Sequence, residues 1–117
     1  MKIIEKSKLP AFGTDTFVAH LDGAKIGTLR AFYPRISKSL HFPDHFGKNM
    51  DALFDCLCDL QGIDIKLKKT ALVINNAALF LSKEKVDKKA AVLQVLQDAT
   101  QADNRYDEFS FAVYFVQ

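Results

Sequence analysis

Ala71-Leu72-Val73-Ile74-Asn75 is an unbroken apolar run, entered from Lys68-Lys69 and closed by Asn75-Asn76. A strand with one wet face alternates apolar and polar residues, and this run does not. It reads as a strand buried on both faces, the mark of a central position in a parallel sheet. Working outward, Thr16-Phe17-Val18-Ala19-His20-Leu21 is rich in β-formers and closed by Asp22-Gly23, a strand entering a turn. Phe109–Val116, rich in aromatic and β-branched residues, is a third strand.

Helical periodicity fills the gaps. Leu29, Phe32, Tyr33, Ile36 and Leu40 form the stripe of an amphipathic helix. Pro34 conflicts with it, and a start near Phe32 or Tyr33 resolves the conflict by placing proline in the first turn. That helix ends before Phe42-Pro43. A second runs from about Asn49, a good N-cap residue, to Leu60, with Met50, Leu53, Phe54, Leu57 and Leu60 inward. A third covers Asp87 to Thr100, with Val92, Val95, Leu96 and Ala99 inward, and a separate helical turn is expected around Ser82–Val86. Residues 1–15 read as an N-terminal extension, in which Ile3-Ile4 could start a short strand. The order implies an α/β domain over residues 16–117: a small three-stranded, largely parallel sheet packed with three to four helices.

The 117 residues fit one domain, and the 49% apolar content supplies a core without disulfide or metal staples. No run approaches the roughly 18 to 20 apolar residues of a membrane span, and Met1–Lys6 lacks a secretory apolar segment, so a cytoplasmic location is expected. Cys56 and Cys58 diverge by about 200° on a helix, and so neither bridge nor share a metal. With no Gly-rich phosphate loop or nucleophile elbow, neither cofactor nor metal nor enzymatic activity is expected. Charge is segregated. Residues 44–64 carry five aspartates against Lys48 alone, while residues 1–43 and 65–90 are net basic. Lys66, Lys68, Lys69, Lys83, Lys85, Lys88 and Lys89 lack an aromatic platform and read as solvated surface, so direct nucleic-acid binding is not expected.

Asp51, Asp55 and Asp59 stand at i, i+4 and i+8, one ridge of the second helix. Like charges at that spacing destabilise a helix by a few tenths of a kcal/mol, ~0.2–0.5 per pair, and only Asp51 gains from the helix dipole. Such a ridge suits a cationic target. The preceding loop, Phe42-Pro43-Asp44-His45-Phe46-Gly47-Lys48, places two aromatics beside it. They serve either as interface anchors or as core staples between two helices, with His45 exposed.

The contiguous stretch from Phe42 to Leu57 resembles the signature of the barstar family of ribonuclease inhibitors: Pro, an acidic residue, two aromatics, Gly, any residue, Asn, an apolar residue, Asp-Ala-Leu, an aromatic, Asp-Cys-Leu. Weaker similarity covers Thr16–Gly23 and Val92–Ala99, with an insertion near 76–86. The resemblance implies a mechanism in which the acidic helix and its loop enter a microbial ribonuclease's active site, carboxylates standing in for the substrate phosphate. Asp55 would be the central mimic, Asp51 would pair with a neighbouring cation, and Asp98 would add a carboxylate at the edge. Asn49 and Gly47 would shape the loop, and Phe54 would pack beside the acids. The implied partner is a cognate ribonuclease or toxin domain in a one-to-one complex. His45 stands where the family usually has tyrosine, Phe54 where tryptophan is commoner, and the formal charge is +2 rather than acidic. Protonated, His45 would repel a cationic cleft. These departures keep open an alternative, a barstar-like immunity or adaptor protein for a target other than a guanyl-type ribonuclease.

Overall fold

The computed structural model describes residues 1–60, 69–102 and 110–117. Lys66, Lys68 and Phe109 lie outside them. The apolar run forms β3 (Lys69–Asn75), flanked by β2 (Thr16–Asp22) and β4 (Ser110–Val116). A two-residue strand, β1 (Ile3–Ile4), adds a fourth strand to the expected three, pairing Ile3 with Phe115 and Ile4 with Val116. Among the described residues the sheet order is β1-β4-β3-β2, all parallel. As the run suggested, Ala71, Leu72, Val73 and Ile74 are each at most 2% exposed.

Three helices cover one face: α1 (Leu29–Ser39), α2 (Met50–Cys58) and α3 (Val86–Thr100). Leu72 and Ile74 share one buried core with Ala19 and Leu21 of β2, Phe111 of β4, and Phe32, Ile36, Leu53, Leu57, Val92 and Leu96 of the helices. α1 starts earlier than expected, so Pro34 falls inside it rather than in its first turn. The reason is the cap and the stripe. The Thr28 hydroxyl accepts from the Ala31 amide at 3.3 Å, and starting at Leu29 keeps the whole stripe on one face. An interior proline costs about 3 kcal/mol. Fully burying Phe32 and Ile36 stabilises by ~1.5–3 kcal/mol each, enough to offset it.

The chain's own start reaches the other face. β2 to β3 to β4 steps along the sheet in one direction with helices on one side. The connection from β1 to β2 steps back across three positions, and right-handed crossovers then require it on the opposite side. Phe12 does lie there, edge-on to Tyr114 at 5.6 Å, and Tyr114 is in register with buried Val73.

The link from β3 to α3 carries its helical turn at Ala77–Leu79, not around Ser82–Val86. It is stitched to the β2–α1 loop. Leu81 donates to the Ile26 carbonyl at 2.7 Å and Lys83 to that of Gly27 at 2.9 Å. Fully buried Phe80 packs edge-on to Phe32 at 5.6 Å. The Glu84 carboxylate accepts from the Leu29 amide at 3.0 Å and from its neighbour Lys85 at 3.3 Å. At the end of β2, Asp22 accepts from the Ala24 amide and Asn76 Nδ2. A Cβ on Gly23 would stand 2.8 Å from the Asn75 carbonyl oxygen, so only glycine lets the two turns approach.

Two outcomes follow. Phe80→Ala should cost about 3–5 kcal/mol of unfolding free energy by denaturant titration, because a fully buried ring leaves a cavity. The Leu29 amide, with help from Lys85 and Lys88, holds the Glu84 carboxyl below the usual glutamate range. Its contribution to stability is thus present at neutral pH and lost as pH falls through the lowered pKa. Glu84→Gln should melt lower than the native chain at pH 7, with the gap closing in acid.

Candidate functional site

α2 presents the acidic ridge because its opposite face is buried. Leu53 and Leu57 are fully buried, contributing ~1.5–3 kcal/mol each. That outweighs the ~0.2–0.5 kcal/mol of repulsion between Asp51 and Asp55 one turn apart. Asn49 caps the helix as expected, its Oδ1 accepting from the Ala52 amide at 2.8 Å while Nδ2 donates to the Gly47 carbonyl at 3.3 Å. The helix stops at Cys58, two residues short of expectation. Asp59 is its C-cap, its amide bonding the Cys56 carbonyl at 3.2 Å. A carboxylate at the negative end of the helix dipole is unfavourable, which agrees with an early stop. The ridge is therefore two helical carboxylates, with Asp59 exposed just past the helix end.

The loop between α1 and α2 is anchored from beneath. Phe42 and Phe46 are buried, the core-staple reading of this pair, with rings 5.0 Å apart. Phe46 meets Tyr33 at 5.8 Å, and Tyr33 meets Phe32 at 5.7 Å. With the Phe32–Phe80 contact this is a continuous row of five rings. His45 points outward, exposed. Gly47 leaves little room above the helix cap: a Cβ there would lie 3.2 Å from Asn49 Nδ2 and 3.4 Å from the Ala52 Cβ. His41 and Lys48 both have φ above +50°, at either end of the loop.

α3 delivers the third expected carboxylate. Asp98, exposed in its last turns, accepts from Gln94 Nε2 at 2.8 Å. Met50, Asp51, Phe54, Asp55, Val95 and Asp98 line one open groove between α2 and α3. The structure thus brings Asp51, Asp55, Phe54 and Asp98 together. Asn49 and Gly47 shape the approach without lining this groove, and Asp59 and His45 lie on its far side. There Asp55, Asp59 and His45 share a second, larger recess of about 730 Å³ with His41, Cys56 and Phe42. Burial, then the neighbouring Asp55 and Asp59 carboxylates, push the Cys56 thiol up, so it stays protonated and unreactive near neutral pH. The sequence offers His41 and Cys56 only as candidates for metal or thiol chemistry, not as partner-contacting residues. His41 enters only through its left-handed backbone, and Cys56 only because the helix turns its half-buried side toward the recess; neither leaves a signal in spacing.

No group of three or more His, Cys, Asp or Glu among the described residues is placed to hold a metal ion. No helix among them is long and apolar enough to cross a membrane.

Residues 16–116 match the sequence model of the family described as "Barstar (barnase inhibitor)". A Bacillus subtilis (strain 168) protein named "Putative ribonuclease inhibitor YrdF" is 29% identical over 93 residues, 80% of this chain and 93% of that protein.

The cap fixes where the ridge begins. Asn49→Ala should therefore lower unfolding free energy by about 1 kcal/mol, read from the denaturation midpoint, while Asn49→Asp should lose much less.

Proposed function

This chain belongs to the barstar family, whose members are inhibitors and not enzymes, and from that premise we propose that it blocks the active site of a microbial ribonuclease. The observation that carries this is the shared groove. Asp51 and Asp55 from one helix and Asp98 from another converge on it, and among the described residues none of the three forms an ion pair within the molecule. A ribonuclease must bind the scissile phosphate with cationic side chains. Carboxylates fixed on two packed helices offer those cations the same charge without a bond to cleave. Asp55 stands between the groove and the larger recess and takes the central position. Asp51 and Asp98 flank it, and Phe54 packs between them. Asp59 and His45 extend the contact on the other side of Asp55, and Asn49 with Gly47 sets the loop against the target backbone. Because packed helices already fix the backbone that carries the carboxylates, little backbone ordering is lost on binding.

The complex is one-to-one and forms in the cytoplasm, where the enzyme would otherwise attack the cell's own RNA. No cofactor takes part, and RNA is excluded rather than bound. Residues 1–15 act as an extension of this domain, reaching one face of its sheet. The replacement of aromatic hydroxyl and indole groups by His45 and Phe54, together with the +2 charge, favours one second reading: immunity toward a toxin whose active site differs from a guanyl-type ribonuclease.

Titrating barnase-like ribonucleases with the purified chain should abolish activity at one equivalent. Asp55→Ala should weaken inhibition by about 2–5 kcal/mol, the usual loss when one member of a buried interfacial charge pair is truncated, or about 30-fold and upward. Inhibition of other nuclease toxins alone would select the second reading, and inhibition of none would reject both.

A further inference from the structure

Beyond the acidic groove the same surface continues into a region of opposite charge. The 730 Å³ recess shares His41, Phe42 and Pro43 with a notch of about 440 Å³ on the α1 side of the loop. Lys38, near the end of α1, and Lys48, at the end of the loop, both line it, together with His41 and Ser37. Asp44 is the one carboxylate in its lining. Lys38 and Lys48 are exposed, and among the described residues neither forms an ion pair with it or with any other carboxylate. Lys48 is the sole cation in the stretch 44–64. It also sits at φ 52°, a left-handed conformation that disfavours a residue with a Cβ. The loop geometry thus carries an uncompensated cation to the rim of a face otherwise built to attract cations.

Resting on the ribonuclease-inhibitor reading, we propose that this notch is a second contact of the same interface and takes an acidic side chain of the target. The partner it fits is a protein whose cationic cleft is bordered by an Asp or Glu. Lys38 and Lys48 approach that carboxylate from two elements, α1 and the loop. The partner's surface is therefore selected by two charges of opposite sign in a fixed arrangement. A ribonuclease presenting a lysine or arginine at that border would be rejected by like-charge contact. Lys48 and Lys38 are in this sense specificity-determining residues.

The sign of a charge-reversal effect tests this. If both lysines were merely rim charges, Lys38→Glu and Lys48→Glu would make the chain more acidic and strengthen its attraction to a basic ribonuclease. If they receive a carboxylate, each reversal weakens the complex. Inhibition constants should be measured for the native chain, both single reversals, the double reversal, Lys48→Arg and Asp55→Ala against the ribonuclease it inhibits. The expected result is about tenfold weaker inhibition for each reversal, near-native inhibition for Lys48→Arg, and unchanged melting temperatures at these exposed positions. Reversals that tighten inhibition or leave it within about twofold, while Asp55→Ala weakens it about 30-fold or more, overturn the notch and leave the inhibitor reading intact. Absence of inhibition by the native chain overturns both.

Discussion

The row of ring contacts from Phe80 through Phe32, Tyr33 and Phe46 to Phe42 fixes the α1–α2 loop to the sheet's helical layer, and the site depends on that attachment. A loop of polar and turn-forming residues would otherwise be free to move relative to the helix it precedes. Here the outward residues, Asp44, His45 and Lys48, alternate with rings that reach inward. Offset and edge-on ring pairs add ~0.5–1.5 kcal/mol each beyond the area they bury. The row joins the loop to the segment after β3, because Phe80 comes from that segment and is fully buried. The row thus ties the loop to α1 and to the β3–α3 link, while α2 packs separately against α3. The α2–α3 packing sets Asp51, Asp55 and Asp98 against one groove.

Charge placement makes sense only in that frame. Of the four aspartates, only Asp51 gains from its helix dipole, in the first turn of α2; Asp55 one turn on, Asp59 at the C-cap and Asp98 near the end of α3 are neutral or unfavourable for the helices that carry them. Burial of Leu53, Leu57, Val92 and Leu96 is larger by several-fold and tolerates them. Elsewhere in the chain, carboxylates do stabilise. Glu84 closes the start of α1, and Asp22 ties the end of β2 to Asn76. The contrast separates Glu84 and Asp22, which accept from backbone amides where elements begin and end, from Asp51, Asp55 and Asp98, which stand exposed on α2 and α3.

Much of this was legible in the sequence because apolar pattern and burial are directly linked. The Ala71–Ile74 run, the stripe of α2, the Asn49 cap and the convergence of Asp51, Asp55 and Asp98 can all be reached from spacing, capping chemistry and resemblance. The differences have physical causes. Proline within α1 is overridden by Thr28 and by the buried stripe. α2 stops before Asp59 where its dipole turns unfavourable. The fourth strand depends on Ile3 and Ile4 meeting Phe115 and Val116 from the far end of the chain, a pairing no local pattern encodes. The notch is likewise absent from local pattern: Lys38 and Lys48 are ten residues apart, and the folded α1–α2 loop, with its left-handed residues at His41 and Lys48, places them on one rim.

The most direct measurement is competition between this protein and a nucleotide for the ribonuclease. Association would be followed with the enzyme's active site empty, then saturated with a mononucleotide phosphate that it does not cleave. If the Asp55 carboxylate takes the place of the substrate phosphate, the apparent dissociation constant must rise in proportion to nucleotide occupancy, and excess inhibitor must displace the nucleotide. Binding of equal strength to the nucleotide-filled enzyme would show that the two occupy different sites, and would contradict phosphate mimicry outright.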